Sequence, residues 1–235
     1  MNATMTRIGW FGKIPSLGDF AQRRLPGAFV RPWDQWLQDG IALAQRRVGP
    51  RFVELLTTFA VWRFAVPPGV FGETAWIGIL LPSADRVGRA FPLTLAEPIA
   101  ADDFVALDLP DIDRRLEGFA RAGTAALDGA TVEELDAALS ALPDRTPIGE
   151  DTGARSILLS PAATGSWITE NFAIQVQQMG RYALMERLGS RALWWVPAAR
   201  GVAGIVRLAS MPPDDGLLGE LIAFEPVPAG ARGAV

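Results

Sequence analysis

The sequence predicts an α/β fold: a single domain built as a three-layer α-β-α sandwich around a mixed, largely antiparallel sheet. Segments with strand character fall in two clusters, at residues 61–96 and 192–208, and segments with helical periodicity lie before and between them. The strands of the first cluster are joined by turns too short for a helical crossover, which indicates antiparallel pairing. Of the 235 residues, 49% are hydrophobic, enough for a large core.

Local patterns predict the individual elements. In chain order these are a glycine-punctuated strand at 8–15, a turn at 16–20, helices at 29–48 and 52–58, strands at 61–66, 75–81 and 91–96, helices at 111–127, 131–142 and 173–188, strands at 192–197 and 202–208, and a helix at 217–224. The first helix rests on the helical spacing of Trp33, Leu37 and Ile41. In the strand at 61–66, Phe64 and Arg63 are expected on opposite faces because side chains alternate.

The chain is expected to form one domain at 1–225. Its parts are a motif-rich half at 8–96, a helical middle at 102–142 and C-terminal strands with a helix at 170–225. A polar loop at 143–154 and a flexible tail at 226–235 are expected from their composition.

Composition excludes several kinds of site. The chain has no cysteine and no histidine, so thiolate nucleophiles, Ser-His-Asp triads and histidine-based metal sites are impossible. Lys13 is the only lysine. We therefore expect no catalytic residue, metal or cofactor.

Charge and hydropathy point to a location and a partner class. The net charge is −4 without a basic block, which disfavours nucleic acid. The sequence lacks a signal peptide and an apolar run of membrane-spanning length, so we expect a cytoplasmic protein without membrane insertion. The oligomeric state stays open.

A dense charged turn follows the apolar strand at 75–81. It holds Ser83, Asp85, Arg86, Gly88 and Arg89. Charges between two apolar strands must satisfy each other or meet a partner. One interpretation is an internal staple from Asp85 to Arg86, Arg89 or Arg63. The others are a docking surface for a protein and an anion site, because arginine binds carboxylate and phosphate in a fork.

Two adjacent tryptophans are a second candidate. Trp194 and Trp195 must face opposite sides of a strand. Core packing is the stronger interpretation, and an interface role for one ring is the alternative. The candidate protein-binding residues are Asp19, Arg63, Ser83, Asp85, Arg86, Arg89, Trp194 and Trp195.

Five segments form a recognisable set: Trp-Phe-Gly-Lys-Ile-Pro-Ser-Leu-Gly-Asp-Phe at 10–20, Pro-Trp-Asp-Gln-Trp-Leu at 32–37, Trp-Arg-Phe at 62–64, the charged turn through Phe-Pro-Leu at 82–93, and Leu-Trp-Trp at 193–195. Together they resemble the TagF (ImpM) family of accessory proteins of bacterial type VI secretion systems. Many relatives carry Gly-Leu-Pro where this chain has Ser210-Met211-Pro212, so the resemblance is weaker in the C-terminal third.

The resemblance implies regulation and no catalysis. TagF-like proteins are cytoplasmic repressors that hold type VI assembly off after translation, acting through a forkhead-associated (FHA) scaffold protein. The charged turn would then dock that scaffold. Two alternatives stay open: a structural subunit of the secretion machine, and an enzyme that uses Asp85 or Asp19 on an arginine-bound anionic substrate.

Overall fold

A seven-stranded antiparallel sheet forms the centre of the molecule. The computed structural model describes residues 8–100, 104, 109–143, 157–158, 167–168, 191–199, 203–210 and 215–226. The strands of the sheet are β1 (Gly9–Gly12), β2 (Ala21–Arg23), β3 (Trp62–Val66), β4 (Ala75–Leu81), β5 (Leu93–Ile99), β8 (Ala192–Val196) and β9 (Ile205–Ala209). A separate two-stranded pair consists of β6 (Ile157–Leu158) and β7 (Trp167–Ile168).

The strand order is β2-β1-β5-β4-β3-β8-β9. Each described pair is antiparallel, so the sheet is more uniform than the predicted mixed sheet. The C-terminal strand β8 pairs with β3, with Phe64 opposite Trp194. Since both parts of the chain share one sheet, the prediction of a single domain is confirmed.

Helices cover both faces of the sheet, as the three-layer prediction requires. They are α1 (Gly27–Val48), α2 (Phe52–Thr58), α3 (Leu109–Leu127), α4 (Val132–Ser140) and α5 (Asp215–Ile222), with a 3₁₀ turn at Gly49–Arg51. One face packs on α1, α2 and α5, and the other packs on α3 and α4.

The two cores differ in composition. The core under α1 is aromatic: the Trp33 ring lies 4.8 Å from Phe64 and stacks on Trp194 at 5.9 Å. The Trp33 indole N–H donates to Thr94 Oγ1 at 2.9 Å, which satisfies its polar atom inside this core. The core under α3 is mainly aliphatic, with Ile77 and Leu95 fully buried.

Many element boundaries agree with the prediction. α2 and β4 have the predicted ends, and Thr131 and Glu134 form a reciprocal capping box at the start of α4. β5 continues to Ile99, three residues beyond its predicted end at 96. The predicted helix at 173–188, and nearly all of the predicted loop at 143–154 and tail at 226–235, lie outside the described residues.

Candidate functional site: a tip formed by two loops

Two loops meet at one end of the sheet, and together we call them the tip: residues 13–20 and 82–92. The first follows β1, and the second joins β4 to β5. Because β1 and β5 are antiparallel, the end of β1 lies beside the start of β5. The Ser83 hydroxyl donates to the Lys13 carbonyl at 2.7 Å and joins the loops directly.

Gly12 permits this close approach. Its φ is +136°, and a Cβ there would lie 2.2 Å from the carbonyl oxygen of Pro92. No other residue type fits without moving the backbone. The close packing of the two loops therefore explains why the Trp-Phe-Gly-Lys segment has a glycine at position 12.

The Asp85 carboxylate is the centre of the tip. Its side chain is inaccessible to solvent. Oδ1 accepts the backbone amides of Val87 at 3.0 Å and Arg89 at 2.9 Å, while Oδ2 accepts the Arg89 Nε at 2.7 Å and lies 3.2 Å from Lys13 Nζ. Gly88, at φ +83°, closes the turn by donating its amide to the Asp85 carbonyl. The carboxylate therefore organises the charged turn and ties it to the first loop.

These partners hold Asp85 ionised. Burial alone would raise its pKa, but the Arg89 amide and guanidinium, the Lys13 ammonium and the Val87 amide lower the pKa well below its usual range. The carboxylate is thus a permanent anion at physiological pH, and its lone pairs are already used.

Further contacts bind the two loops together. Arg89 Nη2 donates to the Gly18 carbonyl at 2.7 Å, and the Arg86 amide donates to the Leu17 carbonyl at 3.1 Å. Lys13 Nζ also donates to the Arg89 carbonyl at 3.2 Å and lies 4.8 Å from the centre of the Phe20 ring. The tip is therefore one interlocked unit.

The staple interpretation of Asp85 is confirmed, with one partner that the sequence did not suggest. Arg89 was among the predicted partners, whereas Lys13 is 72 residues away in the chain and was not. Lys13 is the only lysine among 22 basic residues. This count does not point to Asp85, because the contact depends on the pairing of β1 with β5.

The outer surface of the tip holds the groups that the staple does not use. Arg86 is exposed, Val87 is 69% exposed and Phe20 is 47% exposed. Asp19 is exposed too, and its Oδ1 accepts the amide of Phe20 at 2.8 Å. Ser83 and Asp85 lie beneath this surface, out of reach of a partner.

Arg63 lies away from the tip, so the predicted pairing of Asp85 with Arg63 is wrong. Arg63 is buried on the α3 face of β3, where its guanidinium forms ion pairs with Asp113 and Glu117. It also donates to the Asp113 carbonyl at 3.0 Å. Its side chain lies on the α3 face because side chains alternate along β3.

The two tryptophans lie on opposite faces, as predicted, and both are buried. Trp194 is fully buried in the aromatic core, and Trp195 is 8% exposed in the other core. The Trp195 indole N–H donates to Asp113 Oδ1 at 2.8 Å. Neither ring presents a face to a partner in this structure, because α1 and α3 cover them.

A cavity of about 300 Å³ lies beside the tip, between β2 and the start of α4. Its lining includes Ser16, Leu17, Arg23 and Glu133, but neither Asp85 nor Asp19. A carboxylate-dependent enzyme would need one of these two aspartates in such a cavity. This cavity therefore does not supply the site that the alternative requires.

Comparison with known proteins identifies the family. The family described as TagF N-terminal domain, type VI secretion system-associated, matches residues 9–142. The chain belongs to this family. Both loops of the tip fall within the matched region. No curated protein matches the chain.

A solved structure shares the fold along nearly the whole chain. It is the crystal structure of PA0076 from Pseudomonas aeruginosa PAO1, with a TM-score of 0.67 and 27% identity. The match covers 94% of this chain and 97% of that one. Among the described residues, no helix is both long and apolar enough to cross a membrane.

Proposed function

We propose that this TagF-family protein is a cytoplasmic, non-enzymatic repressor of type VI secretion assembly. It acts after translation by binding the FHA scaffold protein of the secretion system. Family membership supports the association with type VI secretion. The regulatory role and the scaffold are carried over from the resemblance of the motifs.

The observation that carries the proposal is the division of the tip into an inner and an outer part. The inner charges satisfy one another around Asp85, so they hold the loops in place and offer no reactive group. The outer part presents an arginine and two apolar side chains, the residue classes that dominate protein interfaces. A rigid surface of this kind favours binding over catalysis.

The experiment is a complementation assay combined with a pull-down. A strain that lacks the protein is supplied with wild type, with Arg86→Ala, or with the control Arg31→Ala. Arg89 is left in place because it holds Asp85, and the control removes an arginine that is exposed elsewhere, on α1. Sheath assembly is counted as fluorescent foci, and captured scaffold is measured from the same lysates.

We expect wild type and control to suppress foci and to capture the scaffold, and the tip variant to lose both while remaining folded. Assembly that is unaffected by deletion and overexpression would contradict the repressor role. Constant stoichiometric co-purification with sheath or baseplate would favour the structural-subunit alternative instead.

A further inference from the structure

Arg86 differs from the other cations of the tip in having an uncommitted guanidinium. Among the described residues, the tip's ion pairs join Asp85 to Lys13 and Arg89, and none includes Arg86. Its backbone is fixed by the hydrogen bond that its N–H donates to the Leu17 carbonyl. The side chain is exposed on a backbone that is already ordered, so binding through it has to order the side chain alone.

The guanidinium lies close to the first loop. A Cβ at Gly18 would be 3.8 Å from Arg86 Nη2, so the side chain passes over this glycine. Gly18 is followed by Asp19 and by the half-exposed ring of Phe20. Cationic and apolar groups from both loops therefore share one surface.

Two apolar side chains accompany this cation. Phe20 is fixed by an edge contact with Phe91, at 4.6 Å between ring centres, and by Lys13. The backbone of Val87 is fixed in the exposed part of the turn, because its amide donates to the buried Asp85 carboxylate. Exposed apolar side chains held rigidly are favourable contact area for a protein partner.

We propose that the tip binds an acidic segment of a protein partner: a carboxylate pairs with Arg86 while a neighbouring apolar side chain packs on Val87 and Phe20. This inference rests on the proposed function, and it specifies the chemistry that the scaffold must offer. The local charge supports it, since the tip holds three cations against two carboxylates in a chain whose overall net charge is −4.

A phosphate or nucleic acid fits this surface less well. Arg89 already donates Nε to Asp85 and Nη2 to Gly18, so one uncommitted guanidinium remains. The exposed carboxylate of Asp19 repels any anion nearby, and it repels a phosphate dianion more strongly than a single carboxylate. One carboxylate with an adjacent apolar group matches both the single cation and the apolar pair.

The first test needs no knowledge of the natural partner. The isotope-labelled full chain is titrated with a synthetic dodecapeptide of alternating glutamate and leucine, and with a matched lysine–leucine peptide. We expect the glutamate peptide to shift the amide resonances of residues 17–20 and 85–89, and the Arg86→Glu variant to abolish those shifts. No shift at the tip, or equal shifts with the lysine peptide, would overturn the inference.

The second test uses the purified FHA scaffold and calorimetric titration. Arg86→Glu is expected to weaken binding about tenfold or more, and Val87→Ser to weaken it several-fold. The matched control Arg31→Glu makes the same charge change at an exposed arginine on α1 and is expected to bind like wild type. Wild-type affinity is expected to fall as salt rises, and this dependence to weaken in Arg86→Glu.

The two failures are distinguishable. If wild type binds the scaffold, and Arg86→Glu and Val87→Ser bind it equally well, the tip chemistry is wrong while the scaffold-binding function stands. If wild type does not bind the scaffold but the glutamate peptide binds at the tip and is lost in Arg86→Glu, the tip chemistry stands and the proposed partner is wrong.

Discussion

The tip and a second charge cluster use the same residue types to different ends. The second, which we call the helix-facing cluster, consists of Arg63, Asp113, Glu117 and Trp195. There, one buried guanidinium meets two carboxylates, and nothing cationic is left over. At the tip, the cations of Lys13 and Arg89 surround Asp85. Arg86 is not part of these ion pairs. Whether every charge has a partner, more than which residue types are present, separates a structural cluster from a candidate surface.

Removing Arg63 should break the helix-facing cluster and produce the largest loss of stability. Its side chain is 5% exposed, whereas Asp113 and Glu117 are 39% and 51% exposed. The carboxylates can regain some water, so we expect Arg63→Leu to lower the free energy of unfolding by about 2–3 kcal/mol. Urea denaturation of wild type and variant measures this change in the free energy of unfolding.

Arg114 supplies the control for this prediction. It lies on the same helix, α3, and its side chain is 73% exposed in an ion pair with Asp111. We expect Arg114→Leu to cost less than about 1 kcal/mol. Equal urea midpoints for the two variants would show that Arg63 contributes no more than a surface arginine.

The sequence predicted much of this architecture because alternation and periodicity are local. The opposite faces of Arg63 and Phe64, and of Trp194 and Trp195, follow from strand geometry alone. Strand geometry does not determine which helix covers each face. The helix that binds Arg63 begins 46 residues later in the chain, at Leu109.

The tip shows the same limit. The contacts between Asp85 and Arg89 span four residues, and the density of charge in the turn indicated them. The contact between Asp85 and Lys13 depends on β1 pairing with β5, which no local pattern specifies. Arg63 was assigned to the tip for a related reason, since the choice of its partner is made by tertiary packing.

Asp85→Asn should reduce stability less than Arg63→Leu at neutral pH, because the amide oxygen still accepts the Val87 and Arg89 amides. The effect of this substitution on the free energy of unfolding should depend on pH. The folded-state pKa of Asp85 is lowered, so its contribution is present above the unfolded pKa of about 4 and is lost as pH falls through the lower folded value.

The difference in unfolding free energy between wild type and Asp85→Asn should therefore shrink as pH falls below about 4. Denaturation curves at pH 7, 4 and 3 measure it. Asp39→Asn is the control, because Asp39 is exposed on α1 and accepts only from Gln35 among its described contacts. A constant difference across this range would mean that the charge of Asp85 does not stabilise the fold.

Gly88→Ala tests the turn without touching a charge. Gly88 has φ +83°, and nothing lies within 4 Å of a Cβ built there, so the cost is backbone strain alone. We expect a loss of about 1 kcal/mol in urea denaturation. Gly27→Ala at the start of α1 is the matched control and should be neutral, since Gly27 is in a helix with its nearest neighbour atom at 3.7 Å.

The smallest effect on stability is expected at the outer surface of the tip. Arg86 and Val87 are exposed, and the staple beneath them uses their backbone amides and not their side chains. We expect Arg86→Ala and Val87→Ser to change the unfolding free energy by less than about 0.5 kcal/mol. A larger loss in either variant would mean that the outer side chains belong to the staple. The tip would then resemble the helix-facing cluster, with all its charges used by the fold.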